Sequence, residues 1–275
     1  MACVKVLVEK GAAINSRGAY GNTALTKCGY FGKYEVLRYL LLKGADLECK
    51  NDDGMTALFL AAKDDKKDCV KFLVERAANL EAKANNGTTA LIEASENGHL
   101  DIVKLLAEKG ALVDVQDEDL WSALIYAARN GHLNVVVFLA NHGANLSLVD
   151  KNGKTAMDVA KTDEIKSFLQ EFPARMSADL IRAAGSGNVK AVEEILAKGV
   201  SVEMEDSNGD RALHVASKAG HMEVLTLLHS KGADLNSKGL YGNTALVKAS
   251  YHARFDVVKA LRFWGADIEE RNDGE

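Results

Sequence analysis

The chain has 275 residues, 47% of them apolar, which is enough to bury a core and too apolar for a disordered chain. One proline and 6% aromatic residues argue against a sandwich or barrel with its many turns, and no run of about 20 apolar residues is available to span a membrane. A net charge of −5 argues against a general grip on nucleic acid.

The chain starts with MACVKVLVEK, where Lys5 and Glu9 interrupt the apolar run, so it does not read as a secretory signal. This stretch fits a lone second helix, a half unit over 1–15. A 33-residue period then takes over, marked by GNTAL, GMTAL, GTTAL, LWSAL and GKTAM around Thr23, Thr56, Thr89, Ser122 and Thr155. Units are expected to start near 18, 51, 84 and 117, followed by a shortened, cap-like unit over 150–172. The next interval is only 23 residues, after which Ala178, Arg211 and Thr244 resume the period. This places a cap-like unit at 176–205 and units near 206 and 239, the last incomplete at ERNDGE. Pro173 sits in the short interval, so the chain is expected to divide near Glu171–Met176 into stacks of 1–172 and 173–275.

Each unit carries one local code. Thr or Ser predicts an N-cap, then a short first helix that a stretch such as Gly29–Gly32 breaks. An amphipathic second helix follows, as in the run from Glu35 to Leu42. It stops at Gly44, Gly110, Gly143, Gly199, Gly232 or Gly265, where glycine suits a left-handed cap. Arg211 and Ala178 lack a capping side chain, and Arg211→Thr is expected to stabilise by about 1 kcal/mol, the worth of a cap. No unit can bury its apolar face alone, so neighbours must stack.

The run Ala123-Leu-Ile-Tyr-Ala-Ala-Arg-Asn-Gly-His-Leu-Asn-Val-Val, followed by His142-Gly-Ala-Asn, resembles the ankyrin repeat. The resemblance covers essentially the whole chain. It departs from the family where Ala24, Ala57, Ala90, Ala123, Ala156, Ala212 and Ala245 replace the proline after Thr. It implies an all-α solenoid of stacked helix-turn-helix units with short β-hairpin loops. It also implies a non-catalytic scaffold that binds another protein on the concave side, with no cofactor. The alternative is a targeting or regulatory region of a larger enzyme whose catalytic domain is absent from this chain.

Carried onto this sequence, the family's loop tips and first helices place Tyr20, Asn22, Tyr30, Phe31, Met55, Phe59, Lys63, Glu96, Asn97, Trp121, Arg129, Asn130, Tyr241, Tyr251 and His252 toward the partner. Tyr20, Tyr30, Phe31, Met55 and Phe59 are expected to form one patch and Trp121 with Arg129 a second anchor, residue types that often dominate binding energy. Asp52-Asp53 and Asp117-Glu-Asp flank these rings, pointing to a partner segment that is basic and hydrophobic. Trp264 is expected to cover a cut end or a neighbouring molecule, and uncapped chain ends offer a route to self-association.

Catalytic signals are weak. Asn152-Gly-Lys-Thr ends like a phosphate loop, but Leu148 holds the required glycine position. His99, His132 and His221 each follow a glycine with the period of the repeat, which points to structure rather than chemistry. Cys3, Cys28, Cys49 and Cys69 form no metal-spaced set and read as ordinary buried or half-buried thiols. Such thiols fit a reducing compartment, cytoplasm or nucleus.

Overall fold

A computed structural model of the chain describes residues 2–269; the incomplete unit read at 270–275 falls outside them. Fifteen α-helices occur among the described residues. Their only β pairing is three isolated antiparallel bridges, Gln116–Ser122, Val149–Thr155 and Glu205–Arg211, each closing the base of a hairpin loop. The expected all-α repeat architecture is present. None of these helices is long and apolar enough to cross a membrane. The chain forms two compact units, one ending at Leu169 and the other starting at Gln170.

In unit one, α1 (Ala2–Glu9) leads into a two-layer stack. The first helices α2 (Ala24–Phe31), α4 (Ala57–Lys63), α6 (Ala90–Glu96) and α8 (Ala123–Asn130) pack side by side. Behind them lie the second helices α3 (Tyr34–Leu42), α5 (Lys67–Glu75), α7 (Leu100–Glu108) and α9 (Leu133–Asn141). Alanine lets the first helices approach closely: Ala57, Ala61, Ala94, Ala127 and Ala128 are fully buried, and Leu37, Leu73, Leu106 and Leu139 fill the space between the layers. Thr23, Thr56, Thr89 and Ser122 cap α2, α4, α6 and α8, each side chain accepting a backbone N–H three residues on, at 3.2–3.4 Å. After the second helices the chain turns at left-handed residues such as Gly44 (φ 87°). Ala77 takes the same conformation (φ 60°) without glycine's freedom.

The shortened unit departs from the plan. Thr155 caps only a turn, with its hydroxyl donating to Asp158 Oδ2 at 2.6 Å, and residues 156–160 form no first helix. Then α10 (Asp163–Gly185) runs 23 residues, with Pro173 inside it. Proline's φ is compatible with a helix, but it removes one backbone donor and its ring crowds the carbonyl four residues back, a cost that the other bonds of so long an element outweigh. Ala178, expected at a capping slot, is therefore mid-helix. Its neighbour Ser177 is buried and donates to the Glu205 carbonyl at 2.8 Å.

Unit two repeats the two layers with α11 (Val189–Ala197), α12 (Ala212–Ala219), α13 (Met222–Ser230), α14 (Ala245–Tyr251) and α15 (Phe255–Phe263). Here α12 packs on α14 and α11 on α13, around Leu180, Val192, Leu213, Leu225, Leu228 and Leu261. Two expectations are corrected. Trp264 is half-buried and stacks on His229 at 4.6 Å, so its ring packs inside this unit. Cys3 is exposed, because α1 buries none of its residues.

Candidate functional site

Seven hairpin loops precede the first-helix positions among the described residues, and six of them fall into two kinds; in the seventh, which starts at Ala84, Asn86 Oδ1 accepts the Thr88 N–H at 3.2 Å and Gly87 is left-handed (φ 82°). In the loops at Asn51, Asp117, Asp150 and Asp206 the side-chain oxygen of that residue accepts two backbone N–H groups, two and four residues on, at 2.8–3.1 Å. That clamp shapes the turn. At the corresponding positions Gly18 and Gly239 have no side chain to offer, and these two loops fold differently. Tyr20 (φ 59°, ψ 29°) and Tyr241 (φ 60°, ψ 29°) become left-handed at the tip, a place where glycine or asparagine is comfortable. The rings are 77% and 73% exposed, so the strained conformation earns no packing within the fold.

Around Tyr20, unit one forms a shallow cavity of about 230 Å³ lined by Tyr20, Asn22, Lys27, Tyr30, Asn51, Asp53, Met55, Leu60 and Lys63. It collects Tyr20, Asn22, Tyr30, Met55 and Lys63 from the residues the sequence picks out. Phe31 stands beside it, its ring edge-on to Tyr30 at 4.8 Å. Phe59 is not in the site: it lies in the first turn of α4 and is 1% exposed. Lys63 Nζ bonds Glu93 Oε1 at 2.7 Å. Burial works against the Lys63 ammonium, but the bond and charge of Glu93 outweigh it and raise the pKa.

Further along unit one, the Arg129 guanidinium sits 4.6 Å over the half-buried Trp121 ring, and the Tyr126 ring lies tilted against Trp121 with centroids 5.0 Å apart. Glu96 is half-buried, and burial first, then the Glu93 charge, raises its pKa. Asn97 and Asn130 spend their amides on the carbonyls of Glu93 and Glu96, at 2.9 and 2.8 Å. The expected acidic rim is largely consumed within the fold. Asp117 is buried and takes the Tyr126 hydroxyl at 2.8 Å, while Asp119 pairs with Lys151 at 3.0 Å and Asp52 with Arg17 at 2.7 Å.

Unit two has its own cavity of about 410 Å³, lined by Lys218, Tyr241, Asn243, Val247, Lys248, Tyr251 and His252. Tyr251 is 86% exposed and packs edge-on to His252 at 5.2 Å. Lys248 Nζ reaches both carboxylate oxygens of Asp210 at 2.6 Å, and the backbone N–H of Leu240 donates to Asp210 Oδ1 at 3.0 Å. Burial alone would raise the Asp210 pKa, but these donors hold it below the usual carboxylate range.

Sequence reasoning missed Lys27, Lys218 and Lys248. A signal was available, since Tyr-Gly-Asn-Thr-Ala-Leu-x-Lys-x-x-Tyr occurs twice, from Tyr20 and from Tyr241. The periodic histidines are structural: Nε2 of His99, His132 and His221 donates to the carbonyls of Lys63, Glu96 and Gly185, at 2.9–3.0 Å. They satisfy carbonyls left open at first-helix ends. No group of three or more metal-ligating side chains occurs among the described residues.

Family models described as Ankyrin repeats (3 copies) match residues 30–119 and 180–272. Models described as Ankyrin repeats (many copies) match 106–160 and 1–41. Two ankyrin repeat proteins of Rickettsia felis are each 30% identical to this chain, over 59 and 62 residues. Each match spans 22% of this chain and 94% or 91% of the relative.

Proposed function

The chain belongs to the ankyrin-repeat family, whose repeats generally bind other proteins, and we propose that it is an interaction scaffold that holds a partner protein between its loop tips and first helices. The family is typically non-catalytic, and the reading assigns no reaction to this chain. One observation carries it. Tyr20 and Tyr241 are each held in a left-handed backbone that costs on the order of 1 kcal/mol, with rings that bury almost nothing in the fold. Strain without packing is accounted for when the ring serves something outside the fold. Tyrosine supplies contact area at low entropic cost, and the neighbouring cavities extend that area with Asn22, Tyr30, Met55, Tyr251 and His252. The stack boundaries at 1–172 and 173–275 belong to the same proposal; the parting of the compact units after Leu169 supports them.

Photo-crosslinking tests the reading. A benzophenone amino acid at Met55 is expected to capture a protein from lysate of the source cells. The same probe at Leu42, exposed on the second-helix layer, is expected to capture nothing in common with it. Identical products from both positions would overturn the groove assignment.

A further inference from the structure

Leucine stands at one place where the fold otherwise puts glycine. Two residues before the cap slot, six hairpin loops carry a left-handed glycine: Gly21, Gly54, Gly87, Gly153, Gly209 and Gly242, with φ between 66° and 82°. In the remaining loop the residue is Leu120 (φ 61°). A side chain is strained there, yet Leu120 is 42% exposed. The loop is interior to unit one. Its Glu118 N–H donates to the Asn86 carbonyl on one side at 3.1 Å, and its Asp119 carbonyl accepts the Lys151 N–H on the other at 3.2 Å. Trp121 follows Leu120, half-buried, with the Arg129 guanidinium on its ring.

Glu96 ends α6 in the slot that Lys63 and Arg129 hold on α4 and α8. Lys63 is committed to Glu93 Oε1 at 2.7 Å, and Arg129 lies over Trp121. Among the described residues the half-buried Glu96 carboxylate makes no hydrogen bond or ion pair. Burial and the charges of Glu93 and Asp117 oppose its ionisation more than Lys63 and Arg129 favour it.

We propose that Glu96 is the seat for a lysine or arginine side chain of a bound protein segment, whose neighbouring apolar residue packs on Leu120 and Trp121. The inference rests on the groove reading above and names the chemistry of one subsite. Charge complementarity carries it. A carboxylate drawn partly out of water without a partner gains a charge-assisted hydrogen bond when a cation arrives. Arg129 is exposed and already rests on the Trp121 face, so a partner's charge gains more at the half-buried Glu96. An apolar contact outside the fold accounts for the strained Leu120.

The probes are three acetylated and amidated peptides, Gly-Leu-Lys-Leu-Gly and its counterparts with Gln or Glu in place of Lys. Binding is read by two-dimensional NMR of the whole chain. The lysine peptide is expected to shift the Trp121 indole N–H saturably, at millimolar concentration, while the Trp264 indole of unit two stays in place. The Gln and Glu peptides, and the lysine peptide on Glu96→Gln, are each expected to bind about tenfold more weakly or worse, the worth of one charge-assisted hydrogen bond. The Glu96 carboxylate has no bond to lose, so Glu96→Gln keeps the fold, which the rest of the spectrum verifies. Leu120→Gly is expected to raise the melting midpoint of unit one by about 2–4 °C and yet weaken the lysine peptide. Equal binding of the three peptides, tighter binding of the Glu peptide at Arg129, or indifference to Glu96→Gln would overturn the cation seat while leaving the groove reading intact. So would the absence of any shift at Trp121. A lower midpoint for Leu120→Gly, or unchanged peptide binding, would overturn the role of Leu120. Loss of the Met55 crosslink contrast is the separate result that would remove the groove reading itself.

Discussion

Replacing Arg211 by threonine sets two opposing terms against each other. From sequence alone the change restores a missing cap, worth about 1 kcal/mol. The structure adds what the arginine already does. Its side chain is 18% exposed; Nε donates to the Glu203 carbonyl at 3.2 Å and Nη1 to the Lys238 carbonyl at 2.9 Å, and the guanidinium pairs with the carboxylates of Glu203 and Glu205. The α12 end is not left bare either, since the Arg211 N–H donates to His214 Nδ1 at 3.0 Å. Two charge-assisted bonds at roughly 1.5 kcal/mol each outweigh the cap, giving a net loss of about 2 kcal/mol. The partly exposed ion pairs add little to this. Urea unfolding of unit two, followed by Trp264 fluorescence in a Trp121→Phe background, should show a midpoint lower by about 1 M. A midpoint equal to or above that of the parent would refute the reasoning and reinstate the simple cap argument.

Acid should destabilise unit two. His214 is fully buried, with Nε2 donating to the Ser237 carbonyl at 2.8 Å, and burial lowers its pKa below the ordinary 6.5. The unfolded chain therefore takes the proton first, so this contribution is complete above pH 6.5 and falls as pH drops below it. The lowered Asp210 pKa acts in the same direction below pH 3.8. Denaturant midpoints between pH 7.5 and 5 should fall with pH, and His214→Gln should flatten that slope. Ala77→Gly relieves a left-handed alanine and should stabilise unit one by about 0.5–1 kcal/mol in thermal melts. Ser217 is fully buried with an unpaired hydroxyl, and Ala62 and Ala128 occupy the same slot elsewhere, so Ser217→Ala should stabilise by about 1 kcal/mol. Burial pushes the Cys28 and Cys69 thiols up to about 11, so iodoacetamide at pH 8 should label Cys3 first and reach Cys28 and Cys69 only in urea, as peptide mass spectrometry would report.

What the sequence reveals follows from how local each rule is. Caps at Thr23, Thr56, Thr89, Ser122 and Thr244, left-handed glycines and the His-to-carbonyl bonds depend on neighbours fixed by the period, so reading one unit reads most of them. Phe59 shows where type-based reasoning fails. Its slot also holds Thr26, Ile92, Ile125 and His214, all buried, so position rather than aromatic character decides that it faces the stack. The continuity of α10 through Pro173 was hidden because proline more often ends a helix than lies within one. The partners of Lys248 and Arg211 come from other loops, and only the folded backbone brings those together.

The central claim is that the tyrosine-framed grooves bind a protein. A variant with Tyr20, Tyr30, Tyr241 and Tyr251 all changed to alanine removes exposed rings, so its circular dichroism and melting should match the parent. Affinity capture from lysate of the source cells, with both forms at equal loading, should then retain at least one protein with the parent that the variant loses. Retention of the same proteins by both would contradict the account.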